Sequence, residues 1–348
     1  MKYKLLGRSG LRVSELCLGT MTFGEEWGWG NNKEISRDVF TRFSEAGGNF
    51  LDTANFYTNG TSERLLGEFM GQEREKFVLT TKYTLTTNPK DPNASGNHKK
   101  NLVQSVNASL KRLNTDYIDL LWIHMWDDYT PIDELMRGLD EVVRQGKVLY
   151  VGASDTPAWV IAKANTMADM RGWNPFIGLQ LEYSLAERSI EAEFFPMANE
   201  LDLSICAWSP LAFGVLTGKY LGPQANEARL KIIDEPWRVH YLNERNQKIA
   251  QTVVEIAKEI GKSAAQVAIN WTRQKSNRVI PIIGAKSVEQ LNDNLGALDF
   301  ELTYEQMLRL DHVSSYPVAF PHNFLSRKEI RLNRVGDFLE KIQAHSHR

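Results

Sequence analysis

Cysteine is nearly absent from this sequence: 348 residues contain two, Cys17 and Cys206. Both sit inside short apolar runs, with no C-x-x-C neighbour and no metal-ligand spacing. A disulfide framework and a thiolate metal centre are therefore excluded, and both read as core residues. No uncharged apolar stretch reaches about 18 residues, and Met1 to Leu11 lack a continuous apolar region. Neither a membrane span nor a secretory signal is expected, a cytoplasmic location follows, and the sequons at Asn59, Asn93 and Asn107 read as chance matches. Charge of one sign is lacking too. Lys and Arg number 41 against 43 Asp and Glu, interspersed along the chain, for a net charge of -2. That balance leaves no footprint for nucleic acid or anionic lipid, so any bound anion must be held locally. A G-x-G-x-x-G after the first strand is also missing, which argues against a Rossmann domain. Gly214 to Lys219 only mimics a phosphate loop, because its glycines are too close and Tyr220 stands where Ser or Thr would bind magnesium.

What is present is ordinary soluble composition, 42% hydrophobic and 24% charged, organised in a repeating pattern. Eight short apolar runs end in small or polar residues: Glu15 to Gly19, Asn49 to Asp52, Phe77 to Lys82, Ile118 to His124, Val148 to Ser154, Gly178 to Gln180, Ser204 to Trp208 and Val279 to Gly284. Each suits a buried parallel strand. Between them lie amphipathic segments such as Ser36 to Ala46, Asn101 to Leu113, Ile132 to Arg144, Pro157 to Met170 and Asn246 to Ile260. Eight β-then-α alternations in one composition regime predict an α/β fold, a closed (β/α)8 TIM barrel, rather than an open sheet. The expected organisation is a single domain. Residues 1–13 form a capping hairpin from Lys4 to Leu6 and Leu11 to Val13, residues 14–311 the barrel, and residues 312–348 a C-terminal loop and extra helix. Gly24 to Asn32, Thr84 to Lys100 and Ser209 to Asn246 are long enough to be lids or binding loops. In the tail, Ser326 and Glu329 form a capping-box pattern before Ile330, Val335, Phe338, Leu339 and Ile342. That helix needs a surface to pack on, and a homo-oligomer is one way to provide it.

Asp52 closes the second run, Tyr57 follows it, and Lys82 and His124 close the third and fourth. Each alone has an ordinary explanation: a helix cap, a loop aromatic, a solvated strand end, a core histidine. In a parallel barrel, however, consecutive strand ends converge on the face that carries catalytic sites. A phenol titrates near about 10 and needs neighbouring charge to serve as a proton donor. Lys82 would supply that charge and lower Tyr57, Asp52 would keep the ammonium charged, and a neutral His124 would orient a substrate oxygen. No side chain donates hydride, so a cofactor is required, and nicotinamide is the usual two-electron source.

With those residues in view, the chain resembles the aldo-keto reductase superfamily from Tyr3 to about Asp311. The resemblance rests on Leu-Gly-Arg-Ser-Gly-Leu-Arg-Val-Ser from Leu6, Asn-Phe-Leu-Asp-Thr-Ala-Asn-Phe-Tyr from Asn49, Gly-Ala-Ser ending at Ser154, Trp-Ser-Pro-Leu-Ala from Trp208 and Gly-Ala-Lys-Ser from Gly284. It looks nearest to the bacterial and potassium-channel β-subunit branch. The resemblance implies the four roles above and a dinucleotide laid over the barrel loops. Ser154 and Gln180 would hold the carboxamide, Trp208 would stack on the ring, and Gly19, Thr20 and Asp52 would border it. Ser209, Pro210, Leu211, Gly214, Gly218 and Lys219 would follow the pyrophosphate. Gly284, Lys286, Ser287, Gln290 and Asn294 would take the adenosine end, where Lys286 pairing with a 2′-phosphate favours NADPH, with NADH the weaker alternative. Two positions depart from the family pattern. Asp155 replaces an Asn after the serine, exchanging an amide for an acceptor, and Trp208 replaces a Tyr.

Trp27 and Trp29 in the first long loop, Trp126 beyond His124, and Tyr316, Phe320 and Phe324 in the tail are candidates for an aromatic substrate wall. With Tyr57 and His124 they suggest a small-molecule carbonyl that is apolar, aromatic or bulky and cyclic. The leading expectation is NADPH-dependent reduction of an aldehyde or ketone with Tyr57 as proton donor. The alternative is an NADPH-binding regulatory or redox-sensing subunit of the channel β-subunit type. A sugar hydrolase fits poorly, because only Asp52 among the four strand-end residues is acidic.

Overall fold

The computed structural model describes residues 1–221, 240–338 and 341–342. Two short strands, β1 (Tyr3–Leu5) and β2 (Arg12–Ser14), pair antiparallel as the predicted hairpin, displaced by about one residue from its expected limits. The next eight are β3 (Cys17–Gly19), β4 (Phe50–Asp52), β5 (Val78–Tyr83), β6 (Ile118–Ile123), β7 (Val148–Ser154), β8 (Phe176–Glu182), β9 (Ser204–Trp208) and β10 (Val279–Ile283). They run parallel in chain order and close into a barrel where β10 pairs with β3 through Ile282 and Cys17. All eight apolar runs read from the sequence are barrel strands.

Strand alternation sorts the barrel interior into layers. Phe50, Val78, Leu120, Trp122, Cys206 and Ile280 form one buried cluster with Leu6 and Val13 of the hairpin, which stops the lower end. Trp122 is the bulkiest of them and fully buried. Gly152 on β7 and Gly178 on β8 make room for its ring, since a Cβ on either would meet it. Two residues further along these strands, on the same face, stand Asp52, His124, Ser154, Gln180 and Trp208, with Lys82 two beyond Thr80. One parity thus fills the bottom with hydrocarbon and the top with polar groups.

Helices cover the outside. Lys33–Glu45 turns Val39, Phe40 and Phe43 to the barrel, and Ile132–Arg144 turns Leu135, Leu139 and Val142. Asn32, Asn243 and Ser263 cap their helices by accepting backbone N–H groups, which fixes where each chain segment leaves its loop. Among the described residues no helix is long and apolar enough to cross a membrane.

The tail differs from expectation. Two short helices, His322–Leu325 and Lys328–Val335, replace one long one, and Gly336 ends the second. Ser326 does not form the expected capping box. It closes the first helix with its Oγ on the Asn323 carbonyl, while Arg327 is the N-cap of the second and provides no side-chain cap. Phe338 and Ile342 are exposed; Leu339 lies outside the described residues, as does 222–239 within the third long loop.

Gly152→Ala should push a methyl into the buried Trp122 ring and lower stability by about 1–3 kcal/mol. Urea denaturation checks this, and a midpoint equal to the parent's would contradict the layer assignment.

Candidate active site

The four residues singled out at consecutive strand ends meet at the upper mouth of the barrel. Lys82, fully buried, donates to Asp52 Oδ2 at 2.6 Å, to the Thr53 carbonyl at 2.8 Å and to the Tyr57 hydroxyl at 3.1 Å. An ammonium has three N–H groups, and all three are used. The other Asp52 oxygen accepts from Thr80 Oγ1 and Gln180 Nε2, each at 2.8 Å. Burial works against the Lys82 charge, but Asp52 and Tyr57 outweigh it and raise the ammonium above its ordinary value.

Tyr57 opens a tight turn after β4 in which Thr58, Asn59 and Gly60 are all left-handed. Its ring stands edge-on to His124, with centroids 5.9 Å apart. Lys82 lowers the phenol as expected, but burial acts the other way and is larger, so the phenol ends above its ordinary value. The phenol therefore keeps its proton at neutral pH. Burial, with Lys82 adding to it, holds His124 well below the usual imidazole range, so the ring is neutral as expected. Its backbone N–H is fixed by Thr84 Oγ1 at 2.8 Å, and its Nδ1 is buried without a hydrogen-bond partner among the described residues.

The first long loop reaches the same place. Thr58 Oγ1 donates to the Phe23 carbonyl at 2.7 Å, and this anchor brings Trp27 within 5.5 Å of Phe56 and 6.3 Å of Tyr57, ring centre to ring centre. Trp29 packs on Trp27 at 5.6 Å. Trp126 is half-buried against the outer core. The tail aromatics make other contacts: Tyr316 lies beside Arg188, and Phe320 beside Phe324.

The residues expected along a dinucleotide fall into three groups. Ser154 and Gln180 are neighbours across β7 and β8, and Trp208 ends β9 beside them. After Trp208, the backbone at Ser209, Ala212, Phe213, Gly214 and Gly218 is left-handed, with Pro210 and Leu211 between. Lys219 folds over Gly214 so closely that a Cβ there would meet its ammonium. A cation crossing a turn of this kind suits a phosphate chain. At the third group, Ser287 caps the helix Val288–Leu295. Gln290 accepts the Lys286 N–H at 2.9 Å, and Asn294 donates to the Gly284 carbonyl at 3.2 Å, so both shape the loop they belong to. Gly19 packs against Ile282, and the Thr20 hydroxyl is spent on the Asp52 carbonyl and Ser62. The residues present fit a nicotinamide dinucleotide: an aromatic platform, amide partners beside it, and a left-handed turn with a lysine.

Sequence reasoning missed Thr80, Thr84, Phe56 and Glu182. Glu182 was findable, since it lies two residues beyond Gln180 on the same strand face.

Compared with known proteins, residues 15–315 match the Aldo/keto reductase family. Relatives include norsolorinic acid reductase of Aspergillus flavus, 38% identical over 92% of this chain and 83% of that protein. Aryl-alcohol dehydrogenase (NADP+) of Phanerodontia chrysosporium is 38% identical over 90% and 86% respectively. Aryl-alcohol dehydrogenase of Pestalotiopsis microspora is 36% identical over 93% and 85%. These are fungal reductases and alcohol dehydrogenases, and they support the family without the bacterial or channel-associated branch within it.

Lys82→Met should leave the Asp52 carboxylate buried without its counter-charge and lower stability by about 3–5 kcal/mol. Adding Asp52→Asn removes that charge and should recover part of the loss in urea denaturation. Simple additivity of the two changes would show that the pair is not coupled.

Proposed function

The chain belongs to the aldo/keto reductase family, and from that premise we propose that it reduces aryl or bulky cyclic carbonyl compounds with Tyr57 as the proton donor. It is an NADP(H)-dependent oxidoreductase acting on carbonyl groups. The observation that carries the role of Tyr57 is its 3.1 Å hydrogen bond from Lys82. An ammonium can only donate, so the phenol oxygen accepts, and its own hydrogen is left for another acceptor. Burial keeps that phenol protonated at neutral pH, which is the form a reduction consumes.

NADPH, when bound, supplies the hydride. Ser154 and Gln180 would hold the carboxamide; Gln180 commits its amide nitrogen to Asp52 and so offers its oxygen. Trp208 would carry the ring, and Ser209 to Lys219 the phosphates. Lys286 would meet a 2′-phosphate and set the preference for NADPH over NADH. At the reacting oxygen, Tyr57 and the neutral His124 would donate together while negative charge develops, and Lys82 would stabilise the phenolate left behind. Asp52 would hold Lys82 charged throughout.

The substrate reading rests on the continuous aromatic wall from Trp29 through Trp27 and Phe56 to Tyr57. Flat rings stack on such a wall with little loss of freedom. Norsolorinic acid and aryl alcohols, named in the relatives, are consistent with it. No observation favours the regulatory-subunit reading. A cytoplasmic setting belongs to this proposal too.

Tyr57→Phe should reduce turnover of an aromatic aldehyde by about 10²- to 10⁴-fold while NADPH still quenches tryptophan fluorescence. Parental turnover in that variant would remove Tyr57 from the role. Trp27→Ala should raise KM for the aldehyde roughly tenfold with NADPH affinity unchanged; an unaltered KM would take the first loop out of the substrate wall.

A further inference from the structure

Asp155 borders the site but belongs to none of the roles above. It follows Ser154 at the end of β7 in a left-handed conformation, φ 38°. Its backbone is held from two sides, with the N–H on the Gln180 carbonyl at 3.3 Å and its own carbonyl receiving the Trp126 N–H at 3.4 Å. Its Oδ1 accepts from Trp208 Nε1 at 3.1 Å. A carboxylate is thereby fixed at the rim of the indole that the preceding section assigns as the nicotinamide platform. The charged and titratable groups around it are Lys82 of β5, Tyr57 after β4, Glu182 of β8 and Tyr241. Lys82 is already committed to Asp52, and Glu182 accepts from the Tyr241 hydroxyl at 2.6 Å.

We propose that Asp155 is a charge-specificity residue: its carboxylate makes this site bind the oxidised, cationic nicotinamide in preference to the reduced, neutral one. The proposal rests on the assignment of Trp208 as the ring platform. The two cofactor forms share one outline and differ by one unit of charge on the ring. Stacking on the indole favours the cationic ring by cation–π attraction, a part that stays the same at every pH and in every variant that keeps Trp208. An amide at position 155 would hydrogen-bond the carboxamide of either form. Asp155 is exposed at the open mouth of the barrel, and a nicotinamide ring seated on Trp208 would cover it, so that the carboxylate then interacts strongly with the cationic form only. Asn and Asp are the residue types that tolerate the left-handed backbone here, so the choice between them sets charge without changing shape.

Burial raises the Asp155 carboxyl to about 6, with Trp208 and Lys82 pulling it back. The preference should therefore be full above that pH and fade as the carboxyl protonates below it. Glu182 is the competing source of such a step, since burial raises it to about 7 and Glu187 and Asp155 add to the rise against the Tyr241 bond.

The test is to titrate NADP+ and NADPH separately into the parent, Asp155→Asn and Glu182→Gln between pH 5.5 and 8, following tryptophan fluorescence. The readout is the ratio of the two dissociation constants, in which the 2′-phosphate, titrating alike in both nucleotides, cancels. Above pH 7, Asp155→Asn should shift that ratio against NADP+ roughly tenfold. The parent and Glu182→Gln should both lose preference as pH falls through about 6, while Asp155→Asn stays flat. An unchanged ratio in Asp155→Asn, or a step abolished by Glu182→Gln instead, overturns the proposal and leaves the cofactor reading standing. If neither nucleotide quenches the parent, the platform assignment fails and the proposal falls with it.

Discussion

The buried ion pair between Lys82 and Asp52 is the interaction on which the upper half of the barrel depends. Two charges removed from water cost several kcal/mol each, and attraction alone repays this only when every remaining lone pair and proton is satisfied. Here the repayment is complete for the lysine, whose N–H groups reach Asp52, Thr53 and Tyr57. For the aspartate, Thr80 and Gln180 supply donors from neighbouring and opposite strands. The pair therefore ties β4, β5 and β8 together at the mouth and passes its order on to Tyr57. A residue whose hydroxyl accepts from a fixed ammonium has its own proton pointed elsewhere, which is the property the chemistry requires.

That arrangement was largely legible in the sequence, for a geometric reason. Parallel strands with a period of two bring every second residue to the interior, so Asp52, Lys82 and His124 at consecutive run ends had to converge once the eight runs closed. What was not legible depends on the balance of opposing effects or on distant partners. The Tyr57 phenol lies beside a cation, yet burial outweighs the cation, and the depth of burial is not written in Asn-Phe-Tyr. Ser326 and Glu329 have the spacing of a capping box, but Ser326 bonds backwards to Asn323 and the helix starts one residue later. Asp155 was visible as an oddity; its partner Trp208 is 53 residues away and appears only when β7 and β9 are seated around β8.

Besides apolar packing, small polar side chains couple the loops to the barrel. Thr58 holds Phe23, and Thr22 and Asn31 both donate to the Ala285 carbonyl. The aromatic loop beside Tyr57 is thus fastened to the turn that follows β10. Asp127 gathers Asn97, Tyr129 and Thr130, which fixes the second long loop to the segment just past His124. Composition alone hides such links, because Thr, Asn and Asp are equally common in loops that hold nothing.

Backbone strain follows the same division of the barrel. Of the ten non-glycine residues with positive φ among the described residues, Thr58, Asn59, Thr84, Asp128, Asp155, Ser209, Ala212 and Phe213 all lie in loops leaving the upper strand ends. The two at the lower turns are Asn114 and Asp202, types that adopt this conformation readily. Thr, Ala and Phe do not, and each left-handed residue of that kind costs of order 1–3 kcal/mol. Strain of this size persists only where surrounding contacts over-determine it: Thr58 donates to the Phe23 carbonyl, Thr84 Oγ1 accepts the His124 and Met125 N–H groups, Phe213 packs on Tyr241 at 4.8 Å, and Ala212 is buried in the core.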